Sequence, residues 1–400
     1  MKYVVCVCDG MADYPLENLN RMTPLQFSRT TNMDEIAANG RCGLARTIPH
    51  GMVSGCDVAN LSILGYNPKK YYCGRAPFEA ASMNIDLKPG QVVFRCNLVT
   101  IAEDIMVDYS AGHISTVEAK VLIESLNDRI GIEGVRFYPG LGYRHIMLVE
   151  EKMIHKNLHQ LKCMPPHDIV GENITSSLPT GSGSDFLCGI MEKAAQILER
   201  HDINQIKVDL NESPANAIWL WGEGTKPELP LFIDKYNLKG AMISAVDLLK
   251  GIAKFAGLEV IKVPGATGYF DTNYEAKAKY AIEAVENQDF VFVHVEAPDE
   301  AGHTGALKEK IRAIEKFDED VVGYILDKLS RSDVPWRIMI LSDHATPVCV
   351  KKHVGDPVPF AIMGYGIERD NVIEFNEKSV KKGAYGLQDG YNLMSIFMAK

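Results

Sequence analysis

The sequence predicts an α/β protein: a doubly wound, mostly parallel sheet with an inserted smaller α+β domain. Three observations lead there. Short Val/Ile-rich runs, apolar on both faces, recur in YVVCVCDG (3–10), VFVHVEAPDEAGH (291–303) and RIMILSDH (337–344), as in the central strands of a buried parallel sheet. Helical stretches stand between them, and strand–helix alternation is the signature of doubly wound folds. A middle tract, 91–180, breaks the alternation with short strands and Gly- and Pro-rich loops.

The elements follow in chain order. The first strand runs into Asp9-Gly10, and TTNMDEIAANG (30–40) reads as a helix closed by Gly40. The middle tract holds one helix, TVEAKVLIESLNDRI (116–130), the strand-like YRHIMLVEE (143–151) and the turn PPHDIVG (165–171). SSLPTGSGSD (176–185) reads as a hinge back to the core. Helices are then expected at 185–201, at 245–257 closed by Gly257, and at 306–329. Trp219 and Trp221 share one face of a strand in AIWLWGEG, where core packing is the ordinary role. The expected division is therefore 1–90 with 181–400 as the core, and 91–180 as the inserted substrate-side domain.

Composition narrows the function. The 400 residues carry 42 basic and 52 acidic side chains, a net charge of −10, which argues against a nucleic-acid partner. No run approaches the ~18 apolar residues of a membrane span, and the apolar opening is too short for a signal-peptide core. Nine cysteines without a CxxC pair fit free thiols in a reducing compartment, so a cytoplasmic location is expected. Cys6 and Cys8 alternate onto one face of the first strand and read as core thiols. There is no GxxxxGK[ST] phosphate loop.

The informative feature is what ends each strand. Ligands of open α/β sheets bind beyond the carboxyl ends of the strands. Asp9 ends the first run, Asp299 and His303 follow the second at i,i+4 spacing, Asp343 and His344 end the third, and His353 comes nine residues later. Singly, each has an ordinary reading as a turn, a cap or a solvated face. Placed at three successive strand ends, they make a mixed oxygen and nitrogen set that suits Mn²⁺ or Zn²⁺ better than Mg²⁺. Two such ions about 3.5–4 Å apart clamp the attacking and leaving oxygens of a phosphoryl transfer.

These same stretches resemble a known family. DGMADYPLENL (9–19), DVANLSILGYNP (57–68), GRAPFEAAS (74–82), SAGHIST (110–116), GATGYFDTNYEAK (265–277), HVEAPDEAGHTG (294–305) and SDHATP (342–347) with HVGDPVPF (353–360) are similar to the archaeal-type, cofactor-independent phosphoglycerate mutases of the alkaline phosphatase superfamily, and to their relatives proposed to act as homoserine kinases. The likeness runs from end to end. It implies an alkaline-phosphatase-like fold and a site for two divalent metals, Mn²⁺ or Zn²⁺, with Mg²⁺ as a third option. By position Asp299, His303 and His353 would hold one metal, and Asp9, Asp343 and His344 the other together with the nucleophile. The family activity implied is phosphoenzyme interconversion of 3- and 2-phosphoglycerate, and the implied partner is a small phosphorylated hydroxy acid.

One position departs from the family. The relatives carry their nucleophilic Ser in a Pro-Gly-Ser-Asp turn, where this chain reads Ser54-Gly55-Cys56-Asp57. A metal-bound thiol is deprotonated and a strong, soft nucleophile, so Cys56 is the catalytic and metal-binding candidate; loss of mutase activity is the alternative. A carboxylated phosphomonoester also needs cations and fork donors. The candidates are His113 and Arg144 first, then Arg75, Arg95, His145 and Lys277. A homoserine-kinase-like phosphotransferase is the competing activity.

Overall fold

A computed structural model describes residues 1–154 and 157–399. The strands are β1 (Lys2–Cys8), β2 (Arg41–Arg46), β3 (Gln91–Ala102), β4 (Ile105–Asp108), β5 (Val135–Tyr138), β6 (Arg144–Glu150), β7 (Ala217–Thr225), β8 (Gly240–Ile243), β9 (Glu259–Val260), β10 (Phe290–Val295), β11 (Trp336–Leu341), β12 (Val358–Gly364) and β13 (Gly386–Asp389). Among the described residues, they form an eight-stranded sheet in the order β13-β2-β12-β11-β1-β10-β8-β9 and a second sheet β4-β3-β6-β5 to which β7 adds through β3.

The chain divides into two compact units. Unit 1 comprises residues 1–72 and the chain from 228 onward, and unit 2 is Cys73–Pro227. The sequence reading placed the insert at 91–180, but β7 returns to pair antiparallel with β3, Val92–Val99 against Ala217–Thr225. The helix Ser184–Glu199, with Leu187, Ile190, Met191, Ala194 and Leu198 buried on one face, packs on that strand. Both belong to unit 2, whose bounds are accordingly wider than the expected insert.

In unit 1, β1 lies between β10 and β11 and is parallel to both, with Cys8 beside Val295 and Val7 beside Leu341. Val4 to Cys8, Val291 to Val295 and Ile338 to Leu341 are buried on both faces, which is why these runs show no polar alternation. Helices pack on the sheet. The helix α1 (Thr31–Asn39) buries Met33, Ile36 and Ala37. Others are α2 (Cys56–Ile63), α3 (Asp247–Phe255), α4 (Tyr274–Asn287), α5 (Ala297–Thr304), α6 (Leu307–Lys316) and α7 (Tyr324–Ser330).

The single helix expected over 306–329 is interrupted by a wide turn, Phe317–Gly323, between α6 and α7. The widening has a use. Asp318 accepts from the Asn32 and Met33 amides at 3.2 and 2.7 Å, satisfying free donors at the start of α1. A side chain at Gly323 would stand 2.7 Å from Asn32 Nδ2, so glycine lets α1 approach closely. Among the described residues, no helix is long and apolar enough to cross a membrane.

Candidate metal centre

Because β1, β10 and β11 are adjacent and parallel, their carboxyl ends lie side by side. Asp9 follows β1, Asp299 and His303 lie on α5 just after β10, and Asp343 and His344 follow β11. The turn after β1 closes onto α5: Gly10 has φ +61°, and a Cβ there would stand 2.7 Å from the Asp299 Cα. Its amide donates to Asp343 Oδ1 at 3.1 Å. One glycine thus lets three strand ends meet.

The six acids and histidines picked from the sequence converge with Cys56 into overlapping groups. Donor atoms of Asp9, Cys56, Asp343 and His344 all lie within 4.8 Å of one another, as do those of Asp299, His303 and His353. Cys56, His344 and His353 form a third such group that joins them. His344 Nε2 is 3.3 Å from Asp9 Oδ1, 3.6 Å from Asp343 Oδ2 and 3.2 Å from Cys56 Sγ. His303 Nε2 is 3.2 Å from Asp299 Oδ2, and His353 Nε2 is 2.8 Å from His303 Nε2 and 3.3 Å from Asp299 Oδ1. Cys56 is the first residue of α2, follows an extended Gly55 and is half-buried. The helix N-terminus favours negative charge at this sulfur.

Electrostatics set the carboxylates apart. Burial, then Asp343 and Asp299, push the Asp9 carboxyl well above its ordinary range. Burial also opposes charge on Asp299, but the His353, His303 and His344 imidazoles outweigh it and hold that carboxyl well below the usual range. At Asp343 burial is again outweighed, by His344 and His294, and the carboxyl is held low. Burial pushes the His344 imidazole down to about 4. Asp9 Oδ1 is buried and accepts no hydrogen bond. Three buried carboxyl groups, three imidazoles and a thiol make a mixed oxygen, nitrogen and sulfur donor set that suits a divalent cation.

Several contributors escaped the sequence reading. Asn60, one turn along α2 from Cys56, donates to Asp343 Oδ2 at 2.8 Å and to the Cys56 carbonyl at 2.9 Å. Thr346 Oγ1 donates to Asp299 Oδ1 and stands 3.2 Å from His344 Nδ1. Asp57 accepts from Tyr72 Oη at 2.8 Å and from the Val58 amide at 2.9 Å, fixing the turn that carries Cys56. His294 is wholly buried, with Nε2 3.3 Å from Asp9 Oδ2 and 3.7 Å from Asp343 Oδ2. The available signal for it was a histidine inside the apolar run VFVHV.

Of the substrate-side candidates, Lys277 lies in unit 1 and the other five in unit 2. Lys277 is not placed to meet a phosphate: it is fully buried on α4, with Nζ 2.6 Å from Glu296 Oε2 and 2.9 Å from the His294 carbonyl. His145 is not a cation, because burial on β6 pushes its imidazole down to about 3; its Nδ1 accepts from the Gly140 amide at 3.0 Å. Four others lie with it in unit 2. Arg95 is buried and Arg75 half-buried, and each guanidinium Nε is 2.9 Å from a Glu79 oxygen. The Arg95 guanidinium stacks 4.3 Å from the Trp221 ring centre, so this Trp serves an arginine as well as the core. Arg144 and His113 are exposed.

Comparison with known proteins gives the same direction. The model of the 2,3-bisphosphoglycerate-independent phosphoglycerate mutase family matches residues 37–204. The chain is 52% identical over 399 residues to the protein of that name from Methanothrix thermoacetophila, covering all of both chains. It is 46% identical over 403 residues to a probable mutase of the same name from Geobacter sulfurreducens, again covering all of both. Among solved structures, a protein from Pyrococcus horikoshii superposes with a TM-score of 0.84 at 31% identity, covering 99% of this chain and 96% of that one. The cofactor-independent phosphoglycerate mutase of Thermoplasma acidophilum superposes with a TM-score of 0.66 at 26% identity, covering 100% and 99%. With half its residues shared along the full length of such relatives, and its acids and histidines gathered at three adjoining strand ends, the chain belongs to the 2,3-bisphosphoglycerate-independent phosphoglycerate mutase family.

Proposed function

We propose that the protein is an enzyme that interconverts 3-phosphoglycerate and 2-phosphoglycerate through a phosphoenzyme, without 2,3-bisphosphoglycerate. The observation that carries this reading is the meeting of Cys56 with Asp9, Asp343, His344 and the Asp299–His303–His353 group in a chain so similar to named mutases. Two divalent cations, Mn²⁺ or Zn²⁺, when bound by these two groups supply the Lewis-acid charge for phosphoryl transfer. Asp299, His303 and His353 would hold one, and Asp9, Asp343, His344 and Cys56 the other; the thiol favours Zn²⁺.

The chain's own residues account for the rest. Cys56 Sγ attacks phosphorus as the P–O bond to one glycerate oxygen breaks, and that oxygen takes up a proton. The other glycerate hydroxyl then attacks the phosphocysteine, losing its proton as the P–S bond breaks and the thiolate returns. Division into two transfers lowers the barrier of each. His344, at 3.2 Å, and the start of α2 orient the sulfur. Thr346 and Asn60 orient Asp299 and Asp343. In unit 2, Arg144 and His113 are exposed, and Glu79 holds Arg75 and Arg95 in a fork of the kind that suits a carboxylate.

An enolase-coupled assay of 3-phosphoglycerate conversion tests this, on the metal-stripped protein with Mn²⁺ or Zn²⁺ restored. Turnover that EDTA abolishes is expected from the protein and from Cys56→Ser, with a loss of at least about 10³-fold in Cys56→Ala. Silence in both the protein and Cys56→Ser would overturn the mutase reading; silence in the protein alone would mean that the thiol disables it.

A further inference from the structure

We propose that Lys310 and Asp13 are positioning residues of the metal centre: the Lys310 ammonium clamps the loop after β1 to the loop after β11, and so sets where Asp9, Asp343, His344 and His353 stand. The proposal rests on the metal-centre reading above and extends it to the residues that hold its loops. Its starting point is a misplaced charge. The helix α6 reads LKEKIRAIEK, and its Lys308, Arg312 and Lys316 are exposed. Lys310 instead lies on the inward face with Ala313 and Ile314 and is completely buried. An ammonium gives up its hydration there, a loss that an apolar residue would not suffer.

The ammonium has three hydrogens and meets three acceptors. Lys310 Nζ donates to Asp13 Oδ2 at 2.7 Å, to the Thr346 carbonyl at 2.8 Å and to the Ala12 carbonyl at 3.4 Å. The Lys310 and Asp13 side chains are both 0% exposed. Asp13 works on the same two loops. Its Oδ2 also accepts from the Val348 amide at 3.1 Å, and its own amide donates to Glu377 Oε1 at 3.1 Å.

The loops need such a tie. Residues 9–16 and 342–357 form neither helix nor strand, yet they carry Asp9, Asp343, His344 and His353. No sheet ladder fixes them, so their placing depends on single cross-links. The Thr346 amide donates to the Ala12 carbonyl at 3.2 Å, and the Val354 amide to the Ala345 carbonyl at 3.0 Å. Thr346, whose carbonyl Lys310 grips, gives its hydroxyl to Asp299 Oδ1, so the clamp also reaches the second ligand group. An apolar pair of similar volume often serves stability as well as a buried ion pair does. It would hold neither carbonyl, and direction is what the ammonium adds.

The test is Mn²⁺ binding to the metal-stripped, folded protein by equilibrium dialysis, with hydrogen exchange of single amides read by NMR. The deciding variant is Lys310→Met with Asp13→Asn, which leaves no charge buried alone. It is expected to unfold cooperatively in urea yet bind Mn²⁺ about 10–100-fold more weakly, as loss of an outer partner of the ligands does. The Thr346 and Val348 amides are expected to exchange roughly tenfold faster relative to those of β1, a local loosening that a uniform loss of stability would not give. Asp13→Asn alone is expected to weaken Mn²⁺ binding in the same direction by less. Parental Mn²⁺ affinity in the folded double variant, or in Asp13→Asn should the double variant not fold, would overturn this proposal alone, provided the parent binds Mn²⁺. A parent that binds no Mn²⁺ would overturn the metal-centre reading and this proposal with it.

Discussion

Replacing Lys277 by Met separates two roles for that residue. As a phosphate contact, Lys277 would act on substrate affinity and leave stability alone. Its place on α4 requires the opposite. Lys277 and Glu296 have side-chain exposures of 0% and 4%, so water does not screen the pair, and 2.6 Å separates their charged atoms. Met keeps the length and apolar stem, so no large cavity opens, but Glu296 loses its ammonium partner. Removing one member of a buried pair costs about 3–5 kcal/mol, a large part of the ~5–15 kcal/mol that holds a domain. Urea unfolding of the EDTA-stripped protein, followed by circular dichroism, measures this. At a slope of about 3 kcal/mol per molar urea, the midpoint should fall by roughly 1–1.7 M. The neutral double variant Lys277→Met with Glu296→Gln should regain most of the loss, because no uncompensated charge stays buried. An unmoved midpoint together with a raised KM for 3-phosphoglycerate would refute the buried-pair argument.

Two further outcomes follow from unit 2. His145 has its imidazole pushed below 6.5, to about 3, so the folded state binds fewer protons than the unfolded one. Its contribution is whole above pH 6.5 and drains away as pH falls from 6.5 toward 3, at up to about 1.4 kcal/mol per pH unit. Acid unfolding watched through Trp219 and Trp221 should therefore be shallower over that span in His145→Gln, and an ordinary titration near 6.5 in NMR would contradict it. Glu79 holds the Arg75 and Arg95 guanidiniums, each at 2.9 Å, so Glu79→Gln should loosen the fork, raising KM about tenfold while kcat changes less than about threefold. A KM equal to the parent's in steady-state assays would remove these arginines from substrate binding.

Much of the core architecture was legible because its signals are local. A strand buried on both faces is apolar almost throughout, and the ligand-bearing end of such a strand is marked by the acids that follow it closely. Asp9, Asp299 and Asp343 could be picked for that reason, and His303 because i,i+4 spacing puts it beside Asp299 once α5 forms. Depth was not legible. Lys277 and His145 looked like cations for a substrate, but a charged residue in sequence carries no mark of whether its helix or strand turns it inward. His294 was hidden by the opposite error, since VFVHV reads as core. The unit boundary was missed because β7 joins β3 across more than a hundred residues, and pairing at that distance leaves no local pattern.

The central place of β1 has a consequence for how the chain is made. On the ribosome, Lys2–Cys8 emerges well before the strands on either side of it, Phe290–Val295 and Trp336–Leu341, which come close to three hundred residues later. All of residues 73–227 is synthesised in the interval. At about 5–20 residues per second, a strand apolar on both faces waits for at least about 15 seconds with neither edge paired. Such a segment is a target for chaperones and a nucleus for aggregation. A nascent chain in that interval also lacks Asp299, His303, Asp343, His344 and His353, so it holds Asp9 and Cys56 without the rest of the centre. Assembly of the proposed centre is thereby postponed until residue 353 has been made.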